Sequence, residues 1–247
     1  MPAHRLNIAA SMVLQHPEHI HPALWRGSQL AQSSCRTVPT GFPQLDRELP
    51  GQGWPLGALV EIAPSQAGIG EIYFLGPAFS RLEPQRRIAL VHPPYTPLAQ
   101  CWSNWGLDTR RLLWVRCPQA SDSLWACEQI LKHNACAALL CWAANVHPAG
   151  LRRLHMAARQ SDTLFVLLRP AMALRQHSPS PLRLGLRPFE QGLEISIAKR
   201  QGPCRAQSVF IALRPAAATP RSTFHASLDR HPPAHTQPRH AFPAVAH

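Results

Sequence analysis

ALVEIAPSQAGIGEIYFLGPAF, Ala58 to Phe79, runs from a short apolar segment through a glycine-bearing turn into residues at helical spacing. ALVEI (Ala58 to Ile62) reads as a short buried strand. Beyond the turn, Ile72, Leu75, Phe79 and Leu82 recur on one face of a helix that Pro77 is expected to kink. Strand, tight turn and helix is the arrangement in which nucleotide-binding proteins hold phosphate. Backbone N–H groups at the helix N-terminus face the anion, a lysine neutralises the outer phosphates, and a hydroxyl reaches Mg²⁺. The turn APSQAGIGE (Ala63 to Glu71) has the position of such a loop but contains no lysine and no following Ser or Thr.

Outward from this unit the chain alternates. RRIALVHP (Arg86 to Pro93) is a second strand, Pro97 to Trp105 a short helix, and RLLWVRC (Arg111 to Cys117) a third strand. Ser121 is placed to cap a helix carrying Leu124, Cys127, Glu128 and Leu131, which ends near Asn134. CAALLCWAA (Cys136 to Ala144) follows as a fourth strand, Pro148 to Gln160 as a helix, and TLFVLLRP (Thr163 to Pro170) as a fifth strand. Strands that are continuous apolar runs, separated by helices, indicate an α/β fold with a mostly parallel sheet and helices on both faces. After Pro170 three strands come close together: LRLGLR (Leu182 to Arg187), LEISIAKR (Leu193 to Arg200) and SVFIALR (Ser208 to Arg214). They are expected to be antiparallel strands at the C-terminal edge of the sheet.

The 247 residues suffice for one main domain with extensions. The organisation expected is an N-terminal extension over 1–37, a core over 38–215, and a disordered Pro/His-rich tail over 216–247. The tail lacks the apolar periodicity that would let it dock. The start, MPAHRLNIAASMVLQHPEH, has no sustained apolar run of the secretory kind, and the apolar stretch around Ala137 to Val146 is too short to cross a bilayer. A cytoplasmic protein without membrane contact is the expectation. Seven cysteines with no CxxC pair, mostly inside apolar runs, read as buried reduced thiols. Five of the 14 histidines follow Phe224 among prolines, and no metal site is expected from them.

The order of motifs adds a resemblance. TGFPQLDRELPGQGWPLGALVEI (Thr40 to Ile62), followed by SDTLFVLL and LEISIAKRQGPCRAQSVFIAL (Leu193 to Leu213), resembles the core of RecA-type recombinases. PALWRG (Pro22 to Gly27), GQGWPLG (Gly51 to Gly57), GIGE (Gly68 to Glu71), SLWACEQIL (Ser123 to Leu131), SPSPLRL (Ser178 to Leu184) and AKRQGP (Ala198 to Pro203) more closely resemble ImuA. That family comprises the RecA-like proteins of bacterial translesion-synthesis operons, within the RecA/SulA-related superfamily. The likeness covers Pro22 to about Pro215. The core expected over 38–215 is then a degenerate RecA-like one.

Set against a RecA loop, Ile69 falls at the lysine and Gly70 at the hydroxyl residue. Trp142, near the end of the fourth strand, falls at the metal-binding acid, and HPPYTP (His92 to Pro97) lacks the glutamate that would activate water. Phosphoryl transfer depends on that electrostatic stabilisation. The chain is expected not to be an enzyme, to have no catalytic residue, cofactor or metal, and to keep Gly68 and Gly70 only for the turn. Glu61 reads as a strand residue, and Asp162, before the fifth strand, as a turn or cap residue.

What the resemblance implies is a DNA-damage-induced accessory of the SOS response. Its partners would be an ImuB-like polymerase homologue and an error-prone C-family DNA polymerase, with RecA as a further contact. The alternative is a SulA-like cell-division inhibitor binding the tubulin-like division protein. The net charge is +12 and Lys132 and Lys199 are the only lysines, so the basic character is arginine, which pairs with phosphate and carboxylate. Arg169, Arg175, Arg183, Arg187, Lys199, Arg200 and Arg205 are the candidate surface for non-specific DNA or an acidic partner. Among the aromatics, Trp25 is a candidate anchor for the N-terminal segment, whereas Trp102, Trp105, Trp125 and Trp142 read as core.

Overall fold

The computed structural model describes residues 36–104, 106–117, 119–202 and 208–213. The N-terminal extension up to Cys35, Trp25, Trp105, Cys204, Arg205, Arg214 and the Pro/His-rich tail lie outside the described residues.

The chain enters through β1 (Thr37–Val38), α1 (Pro43–Asp46) and β2 (Trp54–Pro55), with β1 and β2 paired antiparallel. Then come β3 (Ala58–Pro64), α2 (Glu71–Phe79), β4 (Arg87–Val91), α3 (Ala99–Asn104), β5 (Leu112–Val115), α4 (Ala120–Lys132), β6 (Cys136–Trp142), α5 (Pro148–Ala158) and β7 (Leu164–Leu168). A 3₁₀ turn, Ala171–Arg175, leads to β8 (Leu182–Phe189), β9 (Gly192–Lys199) and β10 (Val209–Ala212). The eight strands from β3 onward form one sheet in the order β10-β9-β8-β3-β7-β6-β4-β5.

Side-chain alternation explains the layers. In β3, where all seven residues are buried, Val60 and Ile62 face one core and Leu59 the other. The first core is closed by α2 through Phe74, Leu75, Ala78 and Phe79. Trp54 meets the Phe74 ring edge-on at 5.4 Å, and Trp102 of α3 stacks on Phe79 at 5.7 Å. The second core is closed by Cys127 and Leu131 of α4 and by Leu151 and Leu154 of α5. Pro77 lies inside α2, and the helix ends two residues later, with Ser80 and Arg81 side chains both donating to the Pro77 carbonyl, at 2.9 and 2.6 Å.

Four expectations are corrected. The strand over Leu182 to Arg187 is not antiparallel to the sheet it joins: β8 pairs parallel with β3, and antiparallel pairing begins only with β9 and β10. The chain between β7 and β8 is long enough to cross β3 and return in the same direction. Ser121 is not the helix cap, because α4 starts at Ala120 after Gln119. Trp125 is 63% exposed and not core, since α4 turns Leu124, Cys127 and Leu131 inward instead. Cys101 is exposed, whereas Cys127, Cys136 and Cys141 are buried. The Cys141 thiol beside Cys127, together with burial, pushes the Cys127 thiol well above its ordinary value, so it stays protonated. Among the described residues no helix is long and apolar enough to cross a membrane.

Candidate functional site at the carboxyl ends of the strands

The loop from β3 to α2 is held by its own helix. Gly68 and Gly70 both have positive φ, at +83° and +104°, and Gly70 is the residue from which α2 starts. A Cβ on Gly70 would stand 2.7 Å from a methyl of Leu213, so the close passage of the chain after β10 also requires glycine here. Glu71, buried in the first turn of α2, reaches back so that its Oε1 accepts the Gly68 N–H at 3.0 Å. A carboxylate near a helix N-terminus is itself favourable, by about 0.3–1 kcal/mol. A backbone donor that a phosphate loop would offer to its ligand is thus engaged by an internal anion.

Beside this loop is a cavity of about 370 Å³, bounded by Glu71, His92, Pro94, Trp142, Arg169 and Pro170 among others. It opens at the carboxyl ends of β3, β4, β6 and β7, where open α/β sheets gather ligands. His92, the residue after β4, has φ +51°. Trp142, the last residue of β6, is the side chain found where a metal-binding acid would be, and it is partly buried in this cavity wall rather than in the core. Among the described residues there is no group of three or more metal-ligating side chains.

A second polar centre lies behind the first. Glu61 in the middle of β3 is 1% exposed, and its Oε2 accepts from Arg169 at 3.2 Å and from Arg183 at 3.3 Å. The Ser178 hydroxyl donates to Glu61 Oε1. Arg183 also donates to the carbonyls of Ala173, Leu174 and Gln176, at 2.7, 3.3 and 2.9 Å, and Arg169 donates to Gln176 Oε1 at 2.9 Å. The Ser180 hydroxyl lies 2.7 Å from both the Leu59 and Leu182 carbonyls. The segment after β7, whose sequence RPAMALRQHSPSP looked like an open basic loop, is therefore clasped onto β3 and β8 from beneath.

This corrects the candidate basic surface. Arg169 and Arg183 are buried, at 2% and 6%, and their charge is directed at Glu61. Arg175 and Arg187 are exposed beside a second cavity of about 460 Å³, shared with Met172 and Glu194. Lys199 is exposed and donates to the Ser178 carbonyl at 2.9 Å, while Arg200 is half-buried and paired with Glu48 at 3.5 Å. Arg187 and Lys199 stand opposite Glu194 and Arg183 in the β8–β9 register, toward the two ends of the ladder. The exposed charges thus form two small groups instead of one stripe. Asp162 is a turn residue, ion-paired with Arg36 at 2.9 Å.

A charged residue inside an otherwise apolar strand is the sequence signal that pointed to this centre. Glu61 in ALVEI needs a buried cation, and Arg183 in LRLGLR shares its face with no other charge. The role of Glu71 had no comparable signal, because Glu is ordinary in a first helical turn. No family model matches the chain, and a search of curated proteins finds no relative.

Proposed function

We propose that this chain is a non-catalytic accessory protein of error-prone translesion DNA synthesis, built on a RecA-like core that has lost its phosphate chemistry. It acts by docking an ImuB-like polymerase homologue and an error-prone C-family polymerase, with RecA as a further contact. The observation that carries this reading is the loop at the head of α2: Ile69 and Gly70 supply neither charge nor hydroxyl, and the Glu71 carboxylate already accepts the Gly68 N–H. A negative oxygen at 3.0 Å from that donor opposes an incoming phosphate instead of receiving it. The motifs around this loop, GQGWPLG, GIGE and AKRQGP, support placement in the ImuA family. Exposed aromatic and basic side chains, Trp125 on α4 and Arg175, Arg187 and Lys199 around β8 and β9, supply the type of residue that anchors protein interfaces or contacts nucleic-acid phosphates.

Affinity capture from DNA-damaged cells tests the proposal. Recovery of the polymerase homologues is expected, whereas recovery of the tubulin-like division protein without them would replace this reading by that of a division inhibitor. Purified protein is expected to show no ATP turnover above background. Turnover abolished by a Gly68 substitution would overturn the non-catalytic reading.

A further inference from the structure

Seven buried side-chain polar atoms have no hydrogen-bond partner among the described residues, and three of them belong to residues bounding the 370 Å³ cavity: Glu71 Oε2, Trp142 Nε1 and Arg169 Nε. Glu71 and Arg169 are 4% and 2% exposed. Each unmatched buried polar group costs about 1–3 kcal/mol, so their gathering at one cavity calls for a ligand that satisfies them together.

The three atoms define the ligand's chemistry. Trp142 Nε1 and Arg169 Nε are donors only and need acceptors, which excludes an ammonium or guanidinium ligand, since these have none. Glu71 Oε2 is an acceptor carrying negative charge and needs a donor, which excludes phosphate and carboxylate. The charge of Arg169 is already matched by Glu61, at 3.2 Å, so it gives an anion little additional attraction. The ligand must carry donor and acceptor on one neutral framework. Pro94, Leu168, Pro170 and the Trp142 ring bound the rest of the space, and these suit an apolar flat body better than a sugar or a peptide backbone. The volume is at the small end of the range for ligand cavities, about 300–1,000 Å³.

We infer that this cavity binds a neutral planar heterocycle of nucleobase type through its base edge, with Glu71 receiving a ring or exocyclic N–H and Trp142 and Arg169 donating to ring nitrogen or carbonyl. The site thus takes a base without phosphate recognition. The inference does not rest on the proposed role in translesion synthesis. The base can come from a free nucleoside or from an unpaired nucleotide of single-stranded DNA, and the two sources share this chemistry.

The test is calorimetric titration of the full chain with adenosine, guanosine, cytidine and thymidine, and with ATP and a mixed-sequence single-stranded oligonucleotide. At least one nucleoside is expected to bind with Kd below about 1 mM, which marks even weak recognition. Glu71→Gln, which turns the free acceptor into a donor while an amide oxygen remains for Gly68, is expected to weaken that nucleoside at least tenfold. Trp142→Phe, which keeps the ring and removes the donor, should weaken it severalfold and serves if the first variant does not fold. ATP should bind no more tightly than adenosine. Competition between oligonucleotide and nucleoside would assign the base to single-stranded DNA, and its absence to a free nucleoside. No nucleoside binding below 1 mM overturns the inference. So does binding unaffected in both variants, or ATP binding more than tenfold tighter than adenosine.

Discussion

Glu61 and Glu71 are ten positions apart, both buried and both beside Arg169, yet they are opposites. Glu61 is fully engaged: two guanidinium groups and a hydroxyl converge on it, and the guanidinium of Arg183 continues to three backbone carbonyls. Glu71 is half engaged, with one oxygen on the Gly68 N–H and the other without a partner among the described residues. A polar centre closed on itself holds chain segments together. One left open toward a cavity presents chemistry to something outside. Arg169 belongs to both, since its terminal nitrogens bind Glu61 and Gln176 while its Nε has no partner beside the cavity.

The sharpest way to break this contrast is at the closed centre. Glu61→Ala leaves two buried guanidinium groups without their anion and is expected to destabilise the fold by about 3–5 kcal/mol, read by urea denaturation. A loss below about 1 kcal/mol would mean that solvent reaches the pair. Next comes the loop. Gly70→Ala places a side chain at φ +104° and against Leu213, and is expected to cost about 1–3 kcal/mol in the same assay. At the open centre, Glu71→Gln is expected to change stability by less than about 1 kcal/mol, because the bond to Gly68 survives with a neutral acceptor. A loss as large as that of Glu61→Ala would make Glu71 a structural residue and erase the distinction.

The smallest effect is pH-dependent and lies on α5, away from both carboxylates. Desolvation, then Arg159 and Lys199, hold the His155 imidazole below its ordinary value of 6.5. The unfolded chain therefore binds this proton more readily than the folded one, and His155 should cost stability as pH falls through and below 6.5. Replacing it by Asn should flatten the dependence of the urea midpoint on pH in that window. An unchanged slope would assign the dependence to other groups.

Strand positions were legible because their residues are apolar on both faces, and the β3–α2 turn because glycines and helical spacing bracket it. Strand direction was less so: LRLGLR has the same pattern whether it runs with or against β3, and only the crossing of the preceding segment decides. The inward direction of Arg169 and Arg183 was hidden in a count of local charge, which treats every arginine as exposed. Trp125 and Trp142 were assigned to the core by their hydrophobicity. A tryptophan's place in the core or at a cavity wall depends on which strands end beside it, and no local pattern records that.

The central position of β3 has a consequence for the chain as it leaves the ribosome. β3 is made early, but its neighbours are β7, which begins a hundred residues after β3 ends, and β8, later still. At about 5–20 residues per second, both edges of this apolar strand wait roughly 5–20 s for a partner. During that interval Glu61 is a charge in the middle of a segment otherwise suited to intermolecular pairing, the device by which sequences restrain aggregation. Its two arginines follow on β7's trailing edge and on β8, so the charge that protects the nascent strand is neutralised only as the strand acquires its neighbours.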